Sequence, residues 1–168
     1  MYKTIEKLEK QLNKISEELA SLKKEEQGWP QNGDKYFYCS SLGEIFEATW
    51  SDRYSDQKSF ELGNFYKTRE EAENKVRAAR LEAAIARRRK ELNGDWVSDW
   101  GDTQNKYHII YMGCWEPESE ALRVGYTGNY LFTAAFGFYK SRDDVRTIIE
   151  EFEEELLWYF AEYIPSIN

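Results

Sequence analysis

Apolar residues recur at Ile5, Leu8, Leu12, Ile15, Leu19 and Leu22, a 3-4-3-4-3 spacing that predicts a coiled-coil helix over residues 3–26. Ile5, Leu12 and Leu19 take the a positions, and Leu8, Ile15 and Leu22 the d positions. The intervening positions are mostly polar, with six acidic and six basic residues, and Glu18 and Lys23 fall where they can pair across a parallel dimer. A homodimer through this helix is therefore expected. Three heptads make a short seam, so the competing expectation is a helix folded back on its own body. Gly28 and Pro30 then break the pattern, and Trp29 offers an anchor. The expected division is a coiled-coil helix at 1–27, a linker at 28–34 and a body at 35–168.

Within the body the pattern changes to short strand-like runs, and it is written twice. Phe65-Tyr66-Lys67-Thr68-Arg69-Glu70-Glu71-Ala72 aligns with Phe138-Tyr139-Lys140-Ser141-Arg142-Asp143-Asp144-Val145, each pair identical or chemically close. Upstream, Lys35-Tyr36-Phe37-Tyr38 aligns with Lys106-Tyr107-His108-Ile109, two residues out of phase, which a loop insertion explains. Aromatic and β-branched runs predict strands at 36–40, 44–50, 107–112 and 121–127. The polar stretch 51–59 reads as a loop. Thr68 with Glu71 matches a capping box, and Ser141 with Asp144 is a weaker version, so each octet predicts an incoming short strand and a capped helix start. The first helix spans 69–92, with Asn93-Gly94 as its stop and a stripe of Ala72, Val76, Ala79, Ala83 and Ala86. The second spans 142–163, with Val145, Ile148, Ile149, Phe152, Leu156, Phe160 and Tyr163 on its apolar face. The expected fold is α+β. Two tandem β-β-(β)-α repeats, 35–93 and 106–168, are joined by a Trp/Asp connector at 94–105. Their strands form one antiparallel sheet with both helices on one face, preceded by the coiled-coil helix.

Charge narrows the function classes. The chain of 168 residues carries a formal charge of −8, which argues against a dedicated duplex-DNA binder because phosphate neutralisation supplies most of that affinity. No apolar run is long enough for a membrane span, and the charged start predicts no signal peptide. Two cysteines, Cys39 and Cys114, make no disulfide framework and fit a reducing cytosol. With 9 Phe, 12 Tyr and 6 Trp there is ample core material despite the low mean hydropathy. The charge is also unevenly placed. Residues 69–92 carry eight basic and five acidic side chains, whereas 140–168 carry three and eight.

Enzymatic motifs do not emerge. His108 is the single histidine and sits in a predicted strand, where a structural role is expected. Neither cysteine has a basic cluster beside it to lower its pKa, and no phosphate-binding glycine loop or C-x-x-C is present. Asp95, Asp99 and Asp102 lack the spacing of an EF-hand loop; Trp96 and Trp100 are expected to pin the connector to the core. No catalytic residue, metal site or cofactor is therefore expected. Arg87, Arg88, Arg89 and Lys90 could meet phosphates, although the end of a helix favours positive charge anyway. Glu150, Glu151, Glu154 and Glu155, with Trp158, form the candidate partner-binding face. A rigid carboxylate array can imitate phosphates and occupy a basic groove, while a solvated helix face is the plainer account.

The heptad stalk, Gly33-Asp34-Lys35-Tyr36-Phe37-Tyr38, and the run from Gly63-Asn64-Phe65-Tyr66 to Glu73 together resemble a family of small phage and prophage proteins of Firmicutes. The connector Asn93-Gly94-Asp95-Trp96-Val97-Ser98-Asp99-Trp100 and the closing Phe138-Tyr139-Lys140-Ser141 extend that resemblance over nearly the whole chain. It brings no accepted catalytic residues. It implies an accessory, anti-CRISPR-like protein acting in the bacterial host cytoplasm. Such a protein is expected to bind and inhibit a host defence protein, for instance a nuclease effector, without enzymatic activity. Two alternatives accompany this expectation: a nucleic-acid-associated protein using Arg87, Arg88, Arg89, Lys90 and sheet aromatics, and a sponge for an immune signalling nucleotide.

Overall fold

The computed structural model describes residues 11–12, 14–15, 28–112, 121–128 and 134–164. Over these the chain is α+β. The strands are β1 (Lys35–Cys39), β2 (Ile45–Thr49), β3 (Lys106–Tyr111) and β4 (Leu122–Thr127). The helices are α1 (Tyr54–Glu61), α2 (Arg69–Asn93) and α3 (Arg142–Trp158), the last continued by a π-helical turn, Tyr159–Tyr163. The chain divides into two compact units, Met1–Glu73 and Asn74–Asn168, with the boundary inside α2. Of the heptad residues, Leu12 and Ile15 are helical and 67% and 60% exposed; Ile5, Leu8, Leu19 and Leu22 lie outside the described residues.

In the first unit β1 and β2 form an antiparallel hairpin, with Lys35 opposite Thr49 and Cys39 opposite Ile45. The short strand expected at the octet is a single bridge: Phe37 and Tyr66 exchange two backbone hydrogen bonds of 2.9 Å. Beside it, the Asn64 side chain takes over the ladder, its Oδ1 accepting from the Cys39 N–H and its Nδ2 donating to the Cys39 carbonyl, both at 2.8 Å. This bridge delivers Phe65 to the middle of an aromatic cluster. Its ring centre lies 4.1 Å from that of Tyr36, 4.5 Å from Trp29, 5.3 Å from Trp50 and 5.5 Å from Phe60. Trp29 is thus the anchor that its position in the sequence suggested.

Residues 51–59 do not form a loop: α1 occupies most of the stretch. Its apolar periodicity is weak, so the reason lies in a carboxylate. Asp56, at the third helical position, is buried and accepts hydrogen bonds from the Ser51 and Arg53 N–H groups (2.9 and 3.2 Å) and from the Ser51 and Tyr36 hydroxyls (3.1 and 2.9 Å). Asp52 precedes the helix at φ 56, a left-handed conformation that Asp tolerates better than most residues. Burial by itself raises the Asp56 pKa, but the bonds from Ser51, Tyr36 and Arg53 outweigh it and hold the carboxyl below its ordinary value. Burial, with the bond to Asp56, pushes the Tyr36 hydroxyl up to about 12.

The second unit repeats the hairpin and the bridge. β3 and β4 pair antiparallel, Lys106 opposite Thr127 and Tyr111 opposite Leu122, and Tyr107 exchanges bonds of 3.0 and 2.8 Å with Tyr139. The single sheet expected from the sequence is not formed. β1–β2 and β3–β4 are separate two-stranded sheets, and the octet bridge takes up the second edge of β1 and of β3. Both octets cap the helix that follows. The Thr68 Oγ1 accepts from the Glu71 N–H at 3.1 Å while Glu71 accepts from Lys67 and Thr68, and the Ser141 Oγ accepts from the Asp144 N–H at 3.1 Å.

The buried face of α2 also differs from the expected stripe. Ala72 is buried in the first unit and Val76 is half-buried, but Ala79, Ala83 and Ala86 are exposed. Ala78, Leu81 and Ile85 point inward instead, into a core with Ile109, Leu122, Phe136, Tyr139, Val145, Ile148 and Leu156. Burying leucine and isoleucine removes far more apolar area from water than an alanine row could, which decides the rotation. Of the two tryptophans expected to pin the connector, Trp100 does so. Trp100 meets Phe138 edge-on at 5.0 Å, and the buried Lys106 lies over Trp100 with its Nζ 2.6 Å from Asp102 and 2.9 Å from the Gln104 carbonyl. In α3, Val145, Ile148, Leu156 and Tyr163 are buried as expected, with Ile149, Phe152 and Phe160 partly so. Phe152 leaves helical geometry (φ −126°, ψ 20°), and the π-helical turn follows, which brings Trp158 and Tyr159 into the core as well. Among the described residues no helix is long and apolar enough to cross a membrane.

Replacing Asp56 by Ala strands four donors, and we expect the first unit to lose about 2 to 3 kcal/mol in denaturant unfolding followed by residue-resolved NMR. Because the folded pKa of Asp56 is depressed, its stabilisation is complete above the unfolded value and lost as pH falls through the folded one. The advantage of wild type over Asp56→Asn should therefore shrink below roughly pH 4; an advantage unchanged at pH 3 would contradict the assignment. In the second unit, a Cβ added at Gly125 would overlap Ile110 and lie 2.7 Å from the His108 Nε2. Gly125→Ala should cost about 1 to 3 kcal/mol in the same measurement.

Candidate binding surface

The acidic residues of α3 fall into two sets. Glu151 and Glu155 face α2 and are committed there. The Arg77 Nε and Nη2 donate to the two Glu155 oxygens at 2.8 and 3.0 Å. Arg88 grips Glu151 in the same fork, Nε at 2.9 Å and Nη2 at 2.7 Å, and reaches Glu91 with Nη1 at 3.1 Å. A bidentate guanidinium–carboxylate pair fixes geometry as well as charge. The hydrogen bonds to Glu151 and Glu91 raise the Arg88 pKa, and the bond from Arg88 holds the Glu151 carboxyl low. The helices read as oppositely charged in the sequence are thus, in this unit, each other's counter-ions.

Trp158, placed by sequence on the partner-binding face, is buried and lies under the Arg77 guanidinium at 3.9 Å, stacked on Tyr163 at 5.5 Å. It completes the core. Glu150 and Glu154 are exposed and have no hydrogen bond or ion pair among the described residues, and the same is true of Glu153, which was not among the residues expected to bind a partner. Glu150 precedes Phe152, where the helical geometry breaks, and Glu153 and Glu154 follow it, with the Arg88–Glu151 and Arg77–Glu155 forks fixing the helix on either side of that break.

The basic tetrad is divided in the same way. Arg88 is held by Glu151, and the Arg89 Nη1 donates to the Phe136 carbonyl. Gly137, at φ 74, clears the space for Arg89, because a Cβ there would overlap its guanidinium. One turn on, the Asn93 amide donates to the Phe138 carbonyl at 3.0 Å and accepts from the Lys140 N–H at 3.1 Å, so the end of α2 holds the second octet in place. Arg87 and Lys90 remain exposed.

The other candidates for chemistry have structural surroundings. His108 is buried with its ring edge-on to Phe138 at 5.9 Å, and burial lowers its pKa against the opposing effect of a hydrogen bond at the Lys106 backbone. The Cys39 thiol donates to the Ala72 carbonyl at 3.7 Å; Cys114 lies outside the described residues. The hydrogen bond from Lys106 holds the Asp102 carboxyl below its usual range. Compared with family models, with curated proteins and with solved structures, the chain matches none.

The side chains of Arg77 and Glu155 are 41% and 42% exposed, so solvent screens their attraction. A double-mutant cycle of Arg77→Met and Glu155→Gln should give a coupling of about 0.5 to 1 kcal/mol at low salt that falls as salt rises. Arg77→Met alone should also expose Trp158, read as a red-shifted, more quenchable tryptophan fluorescence.

Proposed function

We propose that the chain is a non-enzymatic phage accessory protein that binds and inhibits a host defence protein, with a CRISPR effector as the leading kind of target. The observation that carries the reading is the exposed, unpaired row of Glu150, Glu153 and Glu154 beside Glu151 and Glu155, which are pinned by arginines. The forks hold α3 in register, so the free carboxylates stand at fixed spacing, as a surface that competes for a basic nucleic-acid groove requires. Relative to the sequence reading, the partner-binding set becomes Glu150, Glu153 and Glu154, with Glu151, Glu155 and Trp158 as its support. The exposed Leu12 and Ile15 at heptad positions support joining two copies through the N-terminal helix, which adds avidity. The nucleic-acid alternative has less behind it, because Arg88 and Arg89 are occupied within the unit.

We also read the body as a duplicated unit. In each copy the hairpin is bridged to the second aromatic of an octet, the octet Phe meets a tryptophan, and its Thr or Ser caps the next helix. The bridges make Phe37 the counterpart of Tyr107, one residue off the Lys-Tyr alignment. Tyr36 then corresponds to Lys106, and each is a buried residue whose polar end meets an aspartate, Asp56 or Asp102.

The test is phage plating on a Firmicute host that carries an active nuclease defence, with the chain supplied in trans. Wild type should raise plating efficiency, and the triple variant Glu150→Lys, Glu153→Lys, Glu154→Lys should lose the effect while keeping its melting curve. Equal protection by that variant would remove the acidic face from the mechanism. In sedimentation, Leu12→Glu with Ile15→Glu should convert a dimer to a monomer; an unchanged assembly would move the contact to the body.

A further inference from the structure

We propose that the outer edge of β4 and the adjoining face of α3 form a docking groove for an extended peptide. The peptide would add as a strand and carry acidic side chains at one end and basic ones at the other. A cavity of about 690 Å³ is lined by four consecutive residues, Ala121, Leu122, Arg123 and Val124, and by one face of α3. Consecutive strand residues can line one cavity together only where backbone, and not alternate side chains alone, is accessible. The ladder shows which backbone groups these are. The Met112 N–H bonds the Ala121 carbonyl at 2.7 Å, so by antiparallel alternation Arg123, Gly125 and Thr127 turn their backbone groups to β3. Leu122, Val124 and Tyr126 then turn theirs outward. The bonds of Tyr107 to Tyr139 agree, since they place Tyr107 opposite Tyr126 as a pair that exchanges no hydrogen bonds. Among the described residues β4 has a ladder partner only on the β3 side.

The chemistry of the groove selects its occupant. Leu122, Val124, Ile149 and Leu157 supply apolar lining, as a strand with small or branched side chains would need. Arg142 and Arg146 stand in the first turns of α3, where the helix dipole disfavours cations, so helix stability does not account for both. Arg146 is partly offset by Asp143 at 3.2 Å. Arg123 lines the same cavity, and Glu150 and Glu153 lie further along the helix. From Arg142 to Leu157 the helix rises about 22 Å, the span of roughly six or seven extended residues. The groove does not require the acidic-face reading, although Glu150 and Glu153 border both surfaces.

The experiment uses the full, ¹⁵N-labelled chain and three end-blocked decapeptides with an alternating Val-Thr centre. The first carries two Asp at its N-terminal end and two Lys at its C-terminal end, the second the reverse, and the third Ser at both ends. In the free chain, the amides of the half-buried Val124 and the exposed Tyr126 should exchange with deuterium about tenfold faster than those of Arg123 and Gly125, while Leu122 is held in the core. One of the two charged peptides should slow the Val124 and Tyr126 amides about tenfold and bind about tenfold more tightly than the serine peptide. Val124→Pro, which removes an outward N–H, and Arg142→Glu with Arg146→Glu should each weaken that binding by about the same factor. Outward amides already protected in the free chain would overturn the proposal, because a segment of the chain or a second copy would then hold the edge. It would equally be overturned if no peptide slowed them up to ~1 mM.

Discussion

Two pairs of backbone hydrogen bonds, Phe37 with Tyr66 and Tyr107 with Tyr139, are the constraint on which each unit is built. A two-stranded hairpin is marginal by itself, and each bridge ties one to the start of a helix. It does so within eight residues of sequence, because the octet carries the bridging residue, an aromatic side chain for the core and the helix cap. The aromatic clusters around Phe65 and Phe138 follow from where the bridge sets those rings. The Asn64 amide beside Cys39 and the Asn93 amide between Phe138 and Lys140 do related work, replacing backbone pairing where regular secondary structure stops.

Electrostatics in the second unit is organised by the approach of α2 and α3. Arg77 and Arg88 neutralise Glu155 and Glu151, and the Tyr159 hydroxyl donates to Glu82 at 2.9 Å. Screened pairs of this kind contribute modestly to stability, but bidentate geometry fixes which carboxylates face inward. That choice leaves Glu150, Glu153 and Glu154 in water, and it gives the proposed inhibitory face its pattern. The same helix turns Arg142 and Arg146 of its first turns toward β4, with Glu150 and Glu153 further along the same cavity, so the charge facing β4 changes sign along α3.

Much of the fold was legible in the sequence where the cause is local. The hairpins, the capping box at Thr68 and the cap at Ser141 all depend on neighbours a few residues apart. Helix α1 escaped detection because Asp56 starts it by gathering donors from Tyr36, Ser51 and Arg53, without an apolar stripe. The alanine stripe of α2 misled for the opposite reason: its periodicity is real, but Leu81 and Ile85 offer more area to bury.

Taken alone, the sequence determined the α+β class, the repeated octet, the capped helices and the uneven distribution of charge, since composition and short-range spacing decide these. Only the tertiary structure decided that the strands form two sheets, that Trp158 belongs to the core, and which acidic and basic residues cancel. Those outcomes depend on which surfaces meet across many residues of chain. Arg77 and Glu155, or Arg88 and Glu151, reveal their partnership only once α2 and α3 lie side by side.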